Sequence, residues 1–348
     1  MPLSHVEAAK LVDELSVHDI ERGGVLCGIF GRMGSAKTTL LSTLSKKVAY
    51  INPEDDKPYL ETVIWRGRHP VDYFLSMPPE RTVTLWLHES DSIQFFNERG
   101  RQYAESELPP ILRYKDCYDL LSRLRWGGVN VVYEPRNYVL PETIKTVISR
   151  KIFEKVSYFD GDADPALFWF ELIALLLVKK RLNKFISVFI DEAYEVFPHT
   201  SSQIRWHLQD FLNYKLLDIR KCLISLYLTA HQTWHLDPFL SSSLQYRIYL
   251  RGSTVARNSL ITNKGLPISL PKGQGIIEGG LFGQFEFSRL PTFKRIGVRF
   301  VLPDEHLLGK SEPCTQPPLD QRTAGLLPTP STESTVEETI MPSPSAAR

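Results

Sequence analysis

Residues 28–41 read GIFGRMGSAKTTLL. An apolar run, VLCGIFG (25–31), enters a short loop that ends in a lysine and two threonines, and TTLLSTLSKKV (38–48) follows with the pattern of a helix. That strand–loop–helix order is close to G-x-x-x-x-G-K-[ST], with Ala36 standing where the last glycine is usual. The chemistry of such a loop requires backbone N–H groups turned toward phosphate oxygens just ahead of a helix N-terminus. Gly31, Arg32, Met33, Gly34, Ser35, Ala36, Lys37, Thr38 and Thr39 are therefore the candidate nucleotide-binding residues. Gly31 and Gly34 permit the tight curvature. Lys37 reaches the β- and γ-phosphates, and the Thr38 hydroxyl holds Mg²⁺, with Thr39 as a weaker second candidate. If position 36 needs a positive φ, alanine costs on the order of 1 kcal/mol there. The bland alternative is a glycine turn before an ordinary helix.

Two further strand ends bear on that choice. KFISVFIDEA (184–193) is apolar until it reaches Asp191 and Glu192. Burying adjacent carboxylates is costly unless something uses them. Asp191 is the candidate acceptor for the metal's water shell, and Glu192 the candidate base for an attacking water. CLISLYLTAHQ (222–232) ends in Thr229, Ala230, His231 and Gln232. Gln232 is taken as the sensor of the γ-phosphate, and His231 as a structural histidine. Asp160, Asp162 and Asp164 alternate as calcium ligands can, but the rest of a calcium loop is missing, so a solvated loop is the better reading.

The remaining chain orders itself around these runs. Residues 4–15 read as a leader helix with Ser4 and Glu7 at capping-box spacing. ETVIWRG (61–67), RTVTLWLH (81–88), VNVVYEP (129–135) and YRIYLRG (246–252) read as strands. Residues 89–128 read as helix and loop, 165–182 as an apolar helix and 203–220 as an amphipathic one. GQGIIEGGLFGQFEFSRLP (273–291) reads as a hairpin. Apolar runs separated by helical stretches predict an α/β fold, a mostly parallel sheet with helices on both faces. In such sheets ligands sit beyond the C-terminal strand ends, where the loop, the acid pair and the polar end 229–232 would converge. The expected domains are an N-terminal helix (1–22), a nucleotide-binding domain (23–310) with an insertion-like region at 53–128, and a disordered Pro/Ser/Thr-rich tail (311–348).

Composition sets limits on partners and compartment. Hydrophobic residues make up 43% of the 348 and charged residues 23%, which supports a sizeable folded core. The net charge of +1 gives no polycation signal. The four cysteines, Cys27, Cys117, Cys222 and Cys314, form no C-x-x-C pair and predict a reducing, cytoplasmic setting. The apolar stretch 166–178 is short for a bilayer and contains Glu171, so a buried helix and no stable membrane insertion are expected.

Taken together, the loop, the strand ending DEA and the strand ending in Gln232 resemble the HerA/FtsK superfamily of P-loop ATPases, most of all over 184–252. DIRKCLISLYLTAHQ supplies Arg220 ahead of the Gln strand, as that family often has. HLDPFLSSSLQYRIYLRG resembles the family's next segment, and LPKGQGIIEGG its late glycine hairpin. The resemblance implies a RecA-like P-loop NTPase of the additional-strand, catalytic-glutamate type, using ATP and Mg²⁺. It implies a homo-oligomer, a hexameric ring that translocates or packages double-stranded DNA, in which an arginine completes the neighbouring site. Arg220 is the first candidate for that arginine and Arg247 the second. Ala36 departs from the pattern, as does the absence of a long β-barrel domain or membrane helices. The chain is more similar to packaging ATPases of archaeal viruses or mobile-element ATPases. DEAYEVFPHTSS also resembles the zonula occludens toxin family, which makes a virion-assembly or secretion ATPase the alternative. A small-molecule kinase is disfavoured by Glu192, and a non-hydrolysing nucleotide switch has Ala36 as its only support.

Overall fold

Val, Ile, Leu and aromatic side chains on both faces of the long apolar runs make them strands that must be covered on both sides. The computed structural model describes residues 4–18, 20–49, 61–67, 82–136, 138, 165–178, 184–199, 218–219, 221–287 and 296–301. The described strands are β1 (His5–Val6), β2 (Leu26–Phe30), β3 (Thr62–Arg66), β4 (Val83–His88), β5 (Ser92–Phe96), β6 (Ile111–Tyr114) and β7 (Val129–Val132). They continue with β8 (Ile186–Ile190), β9 (Ile224–Ala230), β10 (Tyr246–Leu250), β11 (Gln274–Glu278), β12 (Gly283–Glu286) and β13 (Gly297–Val301). The main sheet has 11 strands in the order β1-β12-β11-β10-β2-β9-β8-β3-β7-β4-β6. β11 pairs antiparallel with both its neighbours, and every other pairing in this sheet is parallel. β5 and β13 form a separate antiparallel ribbon.

Helices cover both faces, as the fold class requires. On one face α1 (Ala8–Ser16) and α2 (Lys37–Ala49) bury Leu11, Leu15, Leu40 and Leu44 against Ile29, Val63, Phe189 and Tyr227. On the other, α3 (Cys117–Arg123) and α4 (Pro165–Val178) bury Leu120, Phe168, Leu172 and Leu176 against Ile64, Val188, Leu226 and Tyr249. Consecutive strand residues alternate between these two cores, the period-2 geometry of a pleated strand. The remaining described α-helices are short: α5 (Pro238–Ser243) and α6 (Leu266–Ser269).

Four expectations change. Ser4 does not cap a helix; its Oγ donates to Phe282 O, and His5–Val6 add a parallel strand beside β12. A local capping motif has lost to a sheet edge with open hydrogen-bonding groups. The leader is also joined to the sheet by buried His18, whose ring nitrogens share hydrogen bonds with Glu61 (2.9 Å) and the Tyr227 hydroxyl (2.8 Å). The region 89–128 contains strands β5 and β6 as well as α3, and the stretch 53–128 supplies β3, β4 and β6 to the main sheet. Gly297–Val301 forms a strand where the sequence pattern predicts none. The hairpin at 273–291 forms as β11 and β12. Of the helix at 203–220 only 218–219 are described, and the tail and the 160–164 acids lie outside the described residues.

The apolar stretch 166–178 is indeed a buried helix, α4, and among the described residues no helix is long and apolar enough to cross a membrane. Glu171 lies 2% exposed on α4, and its Oε2 has no hydrogen-bond partner among the described residues. Burial pushes its pKa from 4.5 up to about 8, with Asp116 adding to the rise and a Cys117 hydrogen bond opposing it. The folded chain therefore keeps a proton that the unfolded chain loses. This carboxyl's contribution is intact below pH 4.5 and erodes as pH rises toward 8. Glu171→Gln should leave stability nearly unchanged at the acid end and raise it by about 2–4 kcal/mol at the alkaline end. Denaturant melts of both proteins at pH 5 and pH 8 check this.

Candidate active site

The loop after β2 is tied to both flanking strands. Gly31 N donates to Ala230 O of β9 (3.2 Å), and Arg32 N donates to Arg251 O beyond β10 (3.1 Å). The two glycines act differently. Gly34 has φ +75°, the left-handed region. Gly31 is needed for close approach: a Cβ there would stand 2.3 Å from Ser35 Oγ. Ala36 adopts φ +73°, so the position does need the left-handed conformation and alanine bears the strain. Ala36→Gly should relieve it and stabilise the protein by about 1 kcal/mol, less what glycine's freer unfolded chain takes back. A lower melting midpoint would contradict that.

Strand pairing brings the acids to the loop. β9 lies between β2 and β8, parallel to both. Its register pairs Leu228 with Ile190, so the next residues, Thr229 and Asp191, fall side by side. Thr229 Oγ1 donates to Asp191 Oδ1 (2.5 Å) and accepts from Glu192 N (2.9 Å). Across the gap Thr38 Oγ1 donates to Asp191 Oδ2 at 2.8 Å. The Lys37 ammonium is buried and donates to Gly31 O (2.6 Å) and Arg32 O (3.2 Å). Glu192 sits at φ +55°, ψ +49°, a left-handed conformation that costs a non-glycine residue roughly 1–2 kcal/mol and is typical of functional turns.

These groups surround one cavity of about 250 Å³, lined by Met33, Gly34, Ala36, Lys37, Thr38, Thr39, Ser42, Asp191, Glu192 and His231. The loop, the acid pair and the end of β9 thus meet at one sheet edge. Among the candidates, Gly31, Arg32 and Ser35 shape the loop without lining the cavity. The end of β9 divides its polar residues otherwise than the sequence suggested. His231 lines the cavity, with Nδ1 3.4 Å from Lys37 Nζ, and its ring lies 5.5 Å from that of Tyr194. Gln232 turns to the loop after β10, donating to Gly252 O (3.0 Å) and accepting from Thr254 N (2.7 Å). Thr229 and His231 were within the quoted strand end, but only the register with β8 and β2 singles them out. Arg247 is buried in β10, where its Nε donates to Ser241 O (3.2 Å) and Nη2 to Ser242 O (3.1 Å). It braces the end of α5 and does not project as a free finger. Arg220 lies outside the described residues.

A lysine-bearing loop after one strand, an acid after a parallel strand two places away, and an extra strand between them decide the fold. The chain has the P-loop NTPase fold. No protein-family model matches it, and no curated protein matches it. Solved structures similar to it include the genome packaging NTPase B204 from Sulfolobus turreted icosahedral virus 2 in complex with AMPPCP. That protein is 14% identical, with 78% of this chain and 96% of that one covered, at a TM-score of 0.33. The N-terminal domain of zonular occludens toxin from Neisseria meningitidis is 14% identical, covering 68% and 78%, at a TM-score of 0.27. TcpA, the pCW3 conjugation coupling protein, with ATPgS, is 12% identical, covering 78% and 62%, at a TM-score of 0.32. The P-loop NTPase assignment rests on the strand order and the loop.

Proposed function

We propose that this chain is a Mg²⁺-dependent ATPase that translocates or packages double-stranded DNA as a hexameric ring. The observation that carries the hydrolytic part is the Thr38–Asp191 hydrogen bond at the wall of the cavity that Lys37 and Glu192 also line. Two hard oxygen donors 2.8 Å apart suit Mg²⁺, which favours oxygen ligands and takes the rest of its shell from water and substrate phosphates. Thr38 and Asp191 are the residues that would hold it. When bound, the ion neutralises phosphate charge.

In this reading the loop amides and Lys37 bind the β- and γ-phosphates, and Glu192 orients a water and takes its proton. His231 faces the same cavity as these groups, whereas Gln232 joins the end of β9 to the 251–254 loop. Gln232 is the proposed relay from the γ-phosphate to that loop. Arg220, ahead of β9 in sequence, is the proposed arginine in trans. The DNA and ring parts rest on the motif resemblance over 184–252. Phosphate release by the purified protein with Mg²⁺ and ATP, with and without double-stranded DNA, tests the whole. Stimulation by DNA of a species that sediments as a hexamer is the expected result. ATPase activity indifferent to DNA would favour the assembly or secretion reading.

A further inference from the structure

Behind the acid pair lies a buried ionic cluster that the proposed chemistry does not use. Arg66, the last residue of β3, is 4% exposed and sits beside the end of β8. Its Nε donates to Glu134 Oε1 at 2.9 Å, and its Nη2 bonds the same oxygen. Its Nη1 pairs with Glu195 Oε2 at 3.1 Å. The same Nη1 faces two backbone carbonyls, those of Asp191 (3.3 Å) and, more distantly, Glu192 (3.5 Å). Glu134, just beyond β7, is held in turn by Trp169 Nε1 of α4 at 3.0 Å. One guanidinium therefore joins β3, the end of β7, α4 and the turn that follows β8.

Burial alone would favour the neutral forms. The Glu134 and Glu195 carboxylates outweigh it and hold the Arg66 guanidinium above its ordinary range, and Arg66 holds Glu134 below the usual carboxylate range despite burial. Such a cluster is weak evidence for stability, because well-packed apolar residues often do as well in its place. Its position supplies the reason for it. Glu192 is left-handed with no side-chain cap. The turn is held at both ends of that residue: Thr229 Oγ1 accepts from Glu192 N, and Arg66 reaches the Asp191 and Glu192 carbonyls. A lysine cannot make this fork, since it offers a point charge where a planar set of donors is needed.

We infer that Arg66 is a positioning residue for the Asp191–Glu192 turn, fixing the direction of the Glu192 side chain so that its loss slows turnover and spares nucleotide binding. This rests on the hydrolytic reading above. The test compares wild type, Arg66→Gln and the triple variant Arg66→Met/Glu134→Gln/Glu195→Gln, in which the cluster carries no charge. Misplacement of a catalytic group by about an ångström lowers turnover by about a hundredfold, and a fall of that order is expected in both variants. Affinity for a non-hydrolysable ATP analogue should stay within about threefold, since Lys37 and the loop are untouched. The triple variant leaves no unpaired charge, so its melting temperature should recover while its turnover does not. Turnover that recovers along with the melting temperature would reduce the cluster to a structural role and overturn the inference. Hydrogen exchange at the 192–195 amides should quicken in both variants; unchanged protection there would also overturn it. Should the wild type release no phosphate, the hydrolytic reading fails, and the exchange measurement still decides whether Arg66 holds the turn.

Discussion

Glu192→Gln should lower phosphate release by at least about a hundredfold, the range that loss of a general base produces. The substitution keeps the size of the side chain and removes its ability to accept a proton. The backbone contacts of the turn, Thr229 Oγ1 to Glu192 N and Arg66 to the carbonyls, do not depend on the carboxylate. Lys37, Thr38 and Asp191 are unchanged, so the groups proposed to bind nucleotide and metal stay in place. Affinity for ATP should therefore hold or rise slightly, because one negative charge beside the phosphates is gone. Equilibrium binding of a fluorescent ATP analogue, paired with single-turnover phosphate release, separates the two effects. A variant that still turns over at a tenth of the wild-type rate or more would remove Glu192 from the role of base.

Lys37→Ala should act on the other quantity. The ammonium is buried and fixed to Gly31 O and Arg32 O, at the start of α2 and inside the cavity. Facing a triphosphate it would make charge-assisted hydrogen bonds worth about 1.5–3 kcal/mol each. Losing two raises the dissociation constant by a hundredfold or more, at about 1.4 kcal/mol per decade. Isothermal titration with ATP and Mg²⁺ reads this directly, and a melt without nucleotide controls for the two carbonyls left without their donor. Unchanged affinity in a folded variant would mean that the loop, for all its resemblance, does not cradle phosphate. The two substitutions thus separate binding from chemistry: one should lose the ligand and the other should keep it unhydrolysed.

Much of the site was legible because its signals are local. The loop Gly31–Thr39 is a contiguous stretch whose backbone conformation follows from its own glycines and from the helix it starts. Asp191 and Glu192 stand out because an apolar strand ending in two acids is costly without a use for them. The apolar runs give the strands, and their separation by helical stretches gives a mostly parallel sheet with two covered faces. Even the strain at Ala36 was foreseeable as a condition, though only the φ of +73° shows that the condition holds.

Tertiary structure decided the rest, because strands buried on both faces have no apolar–polar alternation from which to read partner or register. Nothing in CLISLYLTAHQ tells that it lies between β2 and β8, yet that position sets Thr229 against Asp191 and His231 beside Gly31. Gln232, one residue further on, is drawn to Gly252 and Thr254, groups 20 and 22 residues away in the chain. Its direction depends on a loop that no local pattern describes. The same holds for Arg66, which reads as the polar end of a strand until Glu134, 68 residues on, and the Asp191 carbonyl, 125 residues on, are brought to it. Local sequence determined which residues are the candidates for phosphate chemistry, and long-range strand pairing decided which of their neighbours hold them in position.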